Sequence, residues 1–293
     1  MSPWLEHLEL DTLAGQIEAA CLLEVAARKP GNVHPEASFE DLSFEDFVQS
    51  AKAAAPILAG AESKGVGSTI EAAVRATRDA VGKNTNLGII LLLAPLAAVP
   101  KSEPLQTGVA RVLNELAVED SRLIYRAIQL AQPGGMGTAP EQDLSSVPTL
   151  PPRSLMQLAA DRDSIARLWS HGFEDLFSIG LPAFLHWQQS GCDWEHIVIG
   201  CALSWMSQIP DTLIARKLGA SVAMEASHKA QLVLESGWPR AQQSERALRE
   251  FDEWLRGDGH RRNPGTTADL VAATLFAALR ERQYDRPWVP MSQ

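Results

Sequence analysis

Apolar residues recur along this chain with a spacing close to 3.6 residues, which is typical of amphipathic α-helices. Near the start, Leu13, Ile17 and Cys21 fall on one stripe, and Pro30 follows closely enough to end the helix. Strand-like alternation bounded by turn residues is nearly absent. The pattern therefore predicts an all-α protein of about ten to twelve helices, folded as a single domain over 1–293.

Local signals predict helix boundaries and one long interruption. Two pairs have the spacing of capping boxes, and these are Ser43 with Asp46 and Ser68 with Glu71. Residues 87–99 are apolar all round, so we expect a central buried helix that Pro95 kinks or shortens. Proline and glycine are frequent in 132–153. Because long loops inside compact domains are usually functional, we interpret this segment as a lid or connector.

Composition and charge narrow the function. The 45% hydrophobic content excludes a disordered chain. The 36 acidic residues against 26 basic ones would repel nucleic-acid phosphates, which leaves only a local basic pocket for a small anion. Three cysteines without C-x-x-C spacing predict reduced thiols. The acidic N-terminus is no signal peptide and no apolar run is long enough to span a bilayer, so we expect a cytoplasmic protein without a membrane partner.

The first polar segment that suggests chemistry follows the first helix and reads Lys29-Pro30-Gly31-Asn32-Val33-His34-Pro35. Its two prolines stiffen the loop, and Gly31 permits close approach of a ligand. Lys29, Asn32 and His34 would then project from a rigid loop, which suggests phosphate binding. An ordinary Pro-Gly helix stop with exposed polar residues explains the same pattern.

The second segment, Asn84-Thr85-Asn86, precedes the most hydrophobic helix. Asn86 can cap that helix, and the free backbone N–H groups of its first turn form an anion site. Capping alone is the alternative, although two asparagines and a threonine are more polar than a cap requires.

The third segment begins a long helix expected over 212–235. Asp211 is either a plain N-cap or a carboxylate that binds Mg²⁺ or accepts a sugar hydroxyl proton. Thr212 and Arg216 are four residues apart and share a helix face, with Lys217 adjacent.

The fourth segment is Pro264-Gly265-Thr266-Thr267-Ala268-Asp269-Leu270. Thr266 and Asp269 have capping-box spacing, which alone explains both residues. Gly265 and the preceding arginines add what a phosphate pocket needs, namely close backbone approach and positive charge at a helix start.

A further acidic segment covers 161–167. Asp163 and Arg167 are spaced for an ion pair between residues i and i+4. Asp161 has no basic residue at that spacing, so it is the better candidate for a metal or ligand.

Together and in this order, the four segments resemble the ATP:dephospho-CoA triphosphoribosyltransferase family over most of the chain. The family fold is all-α, in agreement with the helical periodicity. Family transferases carry H-K-G where this chain has Asn86-Leu87-Gly88. The sequence therefore resembles a divergent branch of the family.

The resemblance implies transfer of the triphosphoribosyl group of ATP to the 2′-hydroxyl of 3′-dephospho-CoA, with release of adenine and a requirement for Mg²⁺. It implies that Asp211 and Asp269 act as general base or metal ligands, with Asp161 as a further metal candidate, and that His34 protonates the departing adenine or orients a phosphate. It also implies that one pocket holds the phosphates, through Lys29, Gly31, Asn32, Asn84, Thr85, Asn86, Thr212, Arg216, Lys217, Gly265, Thr266 and Thr267.

Two alternatives remain beside this activity. One is a related (phospho)ribosyl transfer in the biosynthesis of a methanopterin-type one-carbon cofactor. The other is a non-catalytic helical module that binds nucleotides. The oligomeric state stays open, a homo-oligomer included.

Overall fold

The computed structural model describes residues 9–133 and 141–282. These ranges contain fifteen α-helices, one π-helical segment at Leu176–Gly180, and no β-strand. The all-α prediction is confirmed, with more helices than expected. The helices are α1 Leu13–Ala26, α2 Phe44–Leu58, α3 Ala61–Lys64, α4 Val66–Val81, α5 Leu87–Ala97, α6 Leu105–Glu115, α7 Val118–Ala131, α8 Pro152–Gln157, α9 Ser164–Ser170, α10 Leu181–Gln189, α11 Trp194–Gln208, α12 Thr212–Leu218, α13 Ala220–Glu235, α14 Gln242–Arg256 and α15 Gly265–Arg280.

Of the two predicted capping boxes, the structure contains the one at the start of α2. At the start of α2, Ser43 and Asp46 bond reciprocally, as predicted. The predicted box of Ser68 with Glu71 is wrong, because α4 already begins at Val66. The Ser68 hydroxyl instead donates to the Gly65 carbonyl at 3.1 Å.

Two predicted boundaries change for backbone reasons. The helix expected over 212–235 is divided into α12 and α13 by Gly219, whose φ of +95° no helical residue adopts. In α5, Pro95 lies within the helix, which ends two residues later at Ala97 instead of reaching Val99.

Three buried helices, α1, α5 and α15, form the centre of the molecule. α5 is buried over nearly its whole length, as predicted. Trp169 closes its outer side, where the indole N–H donates to the Leu91 carbonyl at 3.0 Å. Each large apolar side chain buried here contributes about 1.5–3 kcal/mol. This core fixes the ends of the three helices relative to one another, and those ends carry the polar segments.

The predicted loop at 132–153 lies partly outside the described residues, including its Gly-Gly-Met-Gly run. Its described part lies against α7, where the Tyr125 hydroxyl donates to the Gln142 carbonyl at 2.6 Å and the Ser121 hydroxyl donates to the Leu150 carbonyl at 2.7 Å. α8 begins at Pro152, slightly before the predicted end of the loop.

No single helix within 9–133 and 141–282 is long and apolar enough to cross a membrane. Helices α11 and α12 meet the length and composition criteria only as a pair, bent by 56°.

Candidate functional site

A cleft of about 1590 Å³ opens where the ends of the central helices meet α7, α8, α9 and α12. All four polar segments contribute to its wall, so residues more than two hundred positions apart in the chain converge as expected. The predicted site residues on this wall are Asn32, Asn84, Thr85, Asp161, Thr212, Arg216, Lys217, Gly265, Thr266 and Asp269. Six other predicted site residues do not line the cleft, and these are Lys29, Gly31, His34, Asn86, Asp211 and Thr267.

Asp211 is buried, with 2% of its surface exposed, and its carboxylate is fully occupied. Oδ1 accepts the backbone N–H groups of Leu213 at 2.9 Å and Ile214 at 3.0 Å, which caps α12. Oδ2 accepts both the backbone N–H of Thr267 at 2.7 Å and its hydroxyl at 2.8 Å. One carboxylate thus caps the N-termini of two helices.

This arrangement differs from the roles predicted for Asp211 and Thr267. The start of α15 at Thr267, expected to hold a phosphate oxygen, already holds the Asp211 carboxylate. Burial raises the pKa of Asp211, and the four donated hydrogen bonds act in the opposite direction. The Asp211 carboxylate thus serves as a structural cap, and its four hydrogen bonds are all accepted from the protein instead of being directed to the cleft.

Lys29 also has a different partner from the one predicted. Its side chain is entirely buried, and Nζ lies 2.8 Å from Oε1 of Glu24, on the last turn of α1. Nζ also donates to the backbone carbonyls of Glu24 and Ala27. The ammonium group is therefore neutralised within the protein and does not reach the cleft.

The other residues of the Lys29–His34 loop divide between two faces. The Gly31 N–H donates to Asp252 of α14 at 2.7 Å, and a Cβ on Gly31 would meet Leu255 at 2.8 Å. His34 is buried too, and burial followed by the charge of Arg256 lowers the pKa of its imidazole. Neither residue faces the cleft. Asn32 does, and its amide donates to the side chain of Asn263 at 2.8 Å.

Asp269 contrasts with Asp211. Its carboxylate lines the cleft and has no hydrogen-bond or ion-pair partner within the described part of the chain. Burial, then the charges of Glu24, Asp211 and Asp163, raise the pKa of Asp269 well above its usual value. A Cβ added at Gly88 would lie 2.0 Å from Oδ2, so the carboxyl fits against the first turn of α5 only because residue 88 is glycine.

The expected capping box of Thr266 and Asp269 is wrong. α15 begins at Gly265, two residues earlier than that pairing requires, and no side chain caps it from Pro264. Thr266 instead accepts a hydrogen bond from the Thr212 hydroxyl at 3.3 Å. The Asp269 side chain therefore does not cap α15.

Thr212 links three helix starts at the base of the cleft. Its hydroxyl accepts the backbone N–H of Ser164, the first residue of α9, at 3.3 Å, and donates to Thr266 on α15. Beside it, Arg216 lies 3.4 Å from Asp163. The expected pairing of Asp163 with Arg167 is wrong.

Arg167 pairs instead with Asp175, at 2.6 Å. Asp161, predicted as a candidate for a metal or ligand, has 83% of its side chain exposed and lies 3.4 Å from Arg162. Lys217 also lies on the wall, where burial lowers the pKa of its ammonium group.

At the start of α5, Asn84 takes the role predicted for Asn86. The Asn84 side chain accepts the N–H of Leu87 at 3.2 Å, whereas Asn86 is buried and makes no side-chain cap. The Thr85 hydroxyl lies 2.6 Å from that of Ser50 on α2. Asn84 and Thr85 remain on the cleft wall.

The cleft carries both signs of charge. Among its described lining residues, eight are aspartate or glutamate and six are lysine or arginine. No three histidine, cysteine or acidic side chains within the described ranges form a group that could hold a metal ion. An incoming polyanion would therefore meet cations in this cleft but not a net positive field.

Sequence reasoning missed Glu24. Its side chain lines the cleft next to Asp269 although only 4% of it is exposed. The signal was a single acid inside the apolar run Leu22-Leu23-Glu24-Val25-Ala26, five residues before a lysine. An acid rarely occupies a buried helix face unless it is paired.

A Stutzerimonas stutzeri (strain A1501) protein with the provisional name 2-(5''-triphosphoribosyl)-3'-dephosphocoenzyme-A synthase is 31% identical over 106 residues, which is 36% of this chain and 36% of that protein. This match therefore spans about a third of the relative's length.

A crystal structure from Archaeoglobus fulgidus, provisionally assigned as a triphosphoribosyl-dephospho-CoA synthase, superposes with a TM-score of 0.60 at 24% identity. It covers 79% of this chain and 97% of the archaeal one, which shows a shared fold. The model of the family ATP:dephospho-CoA triphosphoribosyl transferase matches residues 10–287. Because that match takes in nearly the whole sequence, the chain belongs to this family.

Proposed function

We propose that the protein transfers the triphosphoribosyl group of ATP to the 2′-hydroxyl of 3′-dephospho-CoA and releases adenine. The observation that carries this proposal is the convergence of all four polar segments on one cleft in a chain that matches the family from residue 10 to 287. The reaction breaks the bond between C1′ of the ribose and N9 of adenine. A bond from C1′ to the acceptor oxygen replaces it.

The size of the cleft supports a two-substrate reaction. At about 1590 Å³, it exceeds the roughly 300–1000 Å³ typical of a site for one small ligand. Holding both substrates side by side turns a bimolecular encounter into a positioned, effectively unimolecular step. A module that only binds a nucleotide would not need the additional space.

The polar wall fits the donor end. Arg216 and Lys217 supply positive charge for phosphate oxygens, and Gly265 and Thr266 bring the backbone of the first turn of α15 to the surface of the cleft. Asn32 and Thr85 add uncharged hydrogen-bonding groups for the ribose and the base. Asp269 places a carboxyl group on the same wall, and glycosyl transfer relies on such groups close to the reacting carbon.

Mg²⁺ fits this site as a companion of the triphosphate. Such ions usually take one or two protein carboxylates and complete their coordination with phosphates and water. Asp161 lines the cleft with an exposed carboxylate and would supply one oxygen. When bound, the ion neutralises the triphosphate, which the excess of acidic over basic lining residues otherwise repels.

Release of adenine tests the proposal. The purified protein is incubated with ATP and Mg²⁺, with and without 3′-dephospho-CoA, and adenine is measured by chromatography while the acceptor is analysed by mass spectrometry. We expect adenine only when the acceptor is present, with an acceptor mass increased by one triphosphoribosyl group. EDTA should abolish the reaction.

Other outcomes support the alternatives. Adenine release that requires a pterin-type acceptor in place of dephospho-CoA would support the related transfer in one-carbon cofactor biosynthesis. Calorimetric binding of Mg-ATP by folded protein, without adenine release under any condition, would support the non-catalytic module.

A further inference from the structure

We propose that Glu24 is a catalytic residue that accepts the proton of the acceptor hydroxyl, while Asp269 donates the proton taken up by the departing adenine. This inference rests on the proposed function and divides the acid–base work of that site between two residues. Glu24 is on α1 and Asp269 on α15, two helices that pack together along the molecular centre.

The first argument is access. Both residues line the cleft, and the charge of Glu24 raises the pKa of Asp269 more than any other neighbouring charge does. Two carboxyl groups on one reacting centre are the usual means of moving protons in glycosyl transfer, one as acid and one as base.

The second argument is the different surroundings of the two groups. Glu24 forms an ion pair with Lys29, whose Nζ lies 2.8 Å from Oε1. Asp269 has no hydrogen-bonding partner within the described residues and faces the acids Glu24, Asp211 and Asp163, with Arg216 as the opposing cation. These surroundings favour the protonated form of Asp269. One acid is held in an ion pair and the other lies among acids without a partner, and two acids in such different surroundings are suited to opposite roles as base and acid.

The third argument concerns stability. A buried ion pair is a costly way to stabilise a fold, since apolar residues of similar volume often stabilise it equally well or better. Glu24 and Lys29 are 4% and 0% exposed and lie within an apolar core. Stability therefore gives little reason for this pair, whereas an ion-paired carboxylate at the cleft wall can serve in the chemistry.

The proton balance closes. As the acceptor oxygen bonds to C1′, its proton passes to the Glu24 carboxylate. As the bond from C1′ to N9 breaks, the electron pair stays with adenine and the Asp269 carboxyl supplies a proton to the ring. Glu24 ends protonated and Asp269 ionised, and loss of a proton from Glu24 to water and uptake of one by Asp269 from water restore the starting state. No other reactant is needed.

Substitution of Glu24 by glutamine tests the proposal, with dephospho-CoA-dependent adenine release as the assay. We expect Glu24→Gln to lower kcat about 10²- to 10⁴-fold, the usual contribution of a general base, while KM for ATP changes less than about threefold. The matched control is Glu195→Gln. Glu195 is also a carboxylate paired with a basic residue at the end of α1, Arg28 at 2.7 Å, but it lies outside the cleft and should retain wild-type kcat.

A double variant separates catalysis from folding. Glu24→Gln leaves Lys29 buried without its partner, which can destabilise the protein. Glu24→Gln/Lys29→Met removes both charges and restores a neutral core. The proposal requires this double variant to melt near the wild-type temperature and still to lack activity. Recovery of kcat to within about tenfold of wild type would overturn it and leave the ion pair a structural role.

Chemical rescue gives an independent result. In Glu24→Ala/Lys29→Met, a small carboxylate such as formate can occupy the vacated space, so kcat should rise with formate concentration. A folded Glu24→Ala/Lys29→Met protein that formate does not rescue, together with near-wild-type activity in Glu24→Gln, would exclude the assignment. If the wild-type protein itself releases no adenine, the proposed function fails and not only this division of roles.

Discussion

The junction of α12 with α15 and the wall formed by α1 with α15 each contain an aspartate from a polar segment, and they use it in opposite ways. At the junction, Asp211 accepts four hydrogen bonds and is closed off from the cleft. At the wall, Asp269 accepts none from the described residues and faces the cleft. The number of internal donors, more than residue type or motif, separates the structural acid from the chemical one.

The largest expected difference between Asp269 and Asp211 is in their effect on turnover. We expect Asp269→Asn to lower kcat about 10²- to 10⁴-fold, because asparagine cannot donate a proton as an acid. Asp211→Asn should lower kcat less than about tenfold in the fraction that remains folded, since Asp211 does not touch the cleft. Steady-state adenine release on both variants, with circular dichroism to measure the folded fraction, checks the difference. Equal losses would mean that the two regions are not functionally distinct.

Substitutions at the two residues should affect stability in the reverse order, with the larger loss at Asp211. Asp211→Ala removes the caps of two helices and leaves the N–H of Thr267 unsatisfied, which we expect to cost about 3 kcal/mol. For a protein of this size the melting temperature should fall by roughly 6–10 °C. Ser43→Ala is the matched control, because it removes the side-chain cap of one half-buried helix start and should cost about 1 kcal/mol. Similar shifts in thermal melts of the two variants would refute the double cap.

A smaller effect tests how Asp269 is seated. Gly88→Ala places a Cβ where the Asp269 carboxyl lies, so the carboxyl must move and kcat should fall about tenfold, which corresponds to about 1.4 kcal/mol. Gly257→Ala is the control, since its Cβ would come no closer than 3.2 Å to a neighbour, the backbone oxygen of Glu253. Kinetics at saturating ATP measure both variants. Wild-type kcat in Gly88→Ala would show that the position of the carboxyl is not critical.

The smallest expected effect concerns pH and stability. Since the pKa of Asp269 is raised in the folded state, the folded protein holds more protons than the unfolded one above about pH 4. The free energy of unfolding should therefore decrease as the pH rises through the window up to the raised pKa. Asp269→Asn removes this loss, and its melting temperature should exceed that of the wild type at pH 8 by about 2–4 °C for each kcal/mol relieved. At pH 4 the two proteins should melt together.

The sequence predicted those features that depend on residues close to one another in the chain. The capping box of Ser43 with Asp46 and the stripe of α1 follow from residues three or four positions apart. The convergence of the four segments came from the family resemblance, because no local pattern brings Asn32 to Asn263.

Partners distant in the chain could not be predicted. Thr267 lies 56 residues from Asp211, the residue to which it donates its hydrogen bonds. The capping-box spacing of Thr266 and Asp269 suggested a different helix start, because α15 begins at Gly265. Lys29 was misassigned for a different reason. Its partner Glu24 is only five residues away, but a loop turns the lysine back into the core, and loop direction is not encoded in periodicity.

The hydrogen bonds that join the starts of α9, α12 and α15 also bear on how fast the protein folds and unfolds. They connect residues separated by 48, 54 and 56 positions, so each forms only after a long loop has closed. Contacts of this kind are costly for a folding nucleus, whereas the helices themselves require only local contacts. We expect the junction to assemble after the rate-limiting step, so that weakening it accelerates unfolding and leaves the refolding rate almost unchanged. Asp211 would then slow the unfolding of the protein and leave its folding rate almost unchanged.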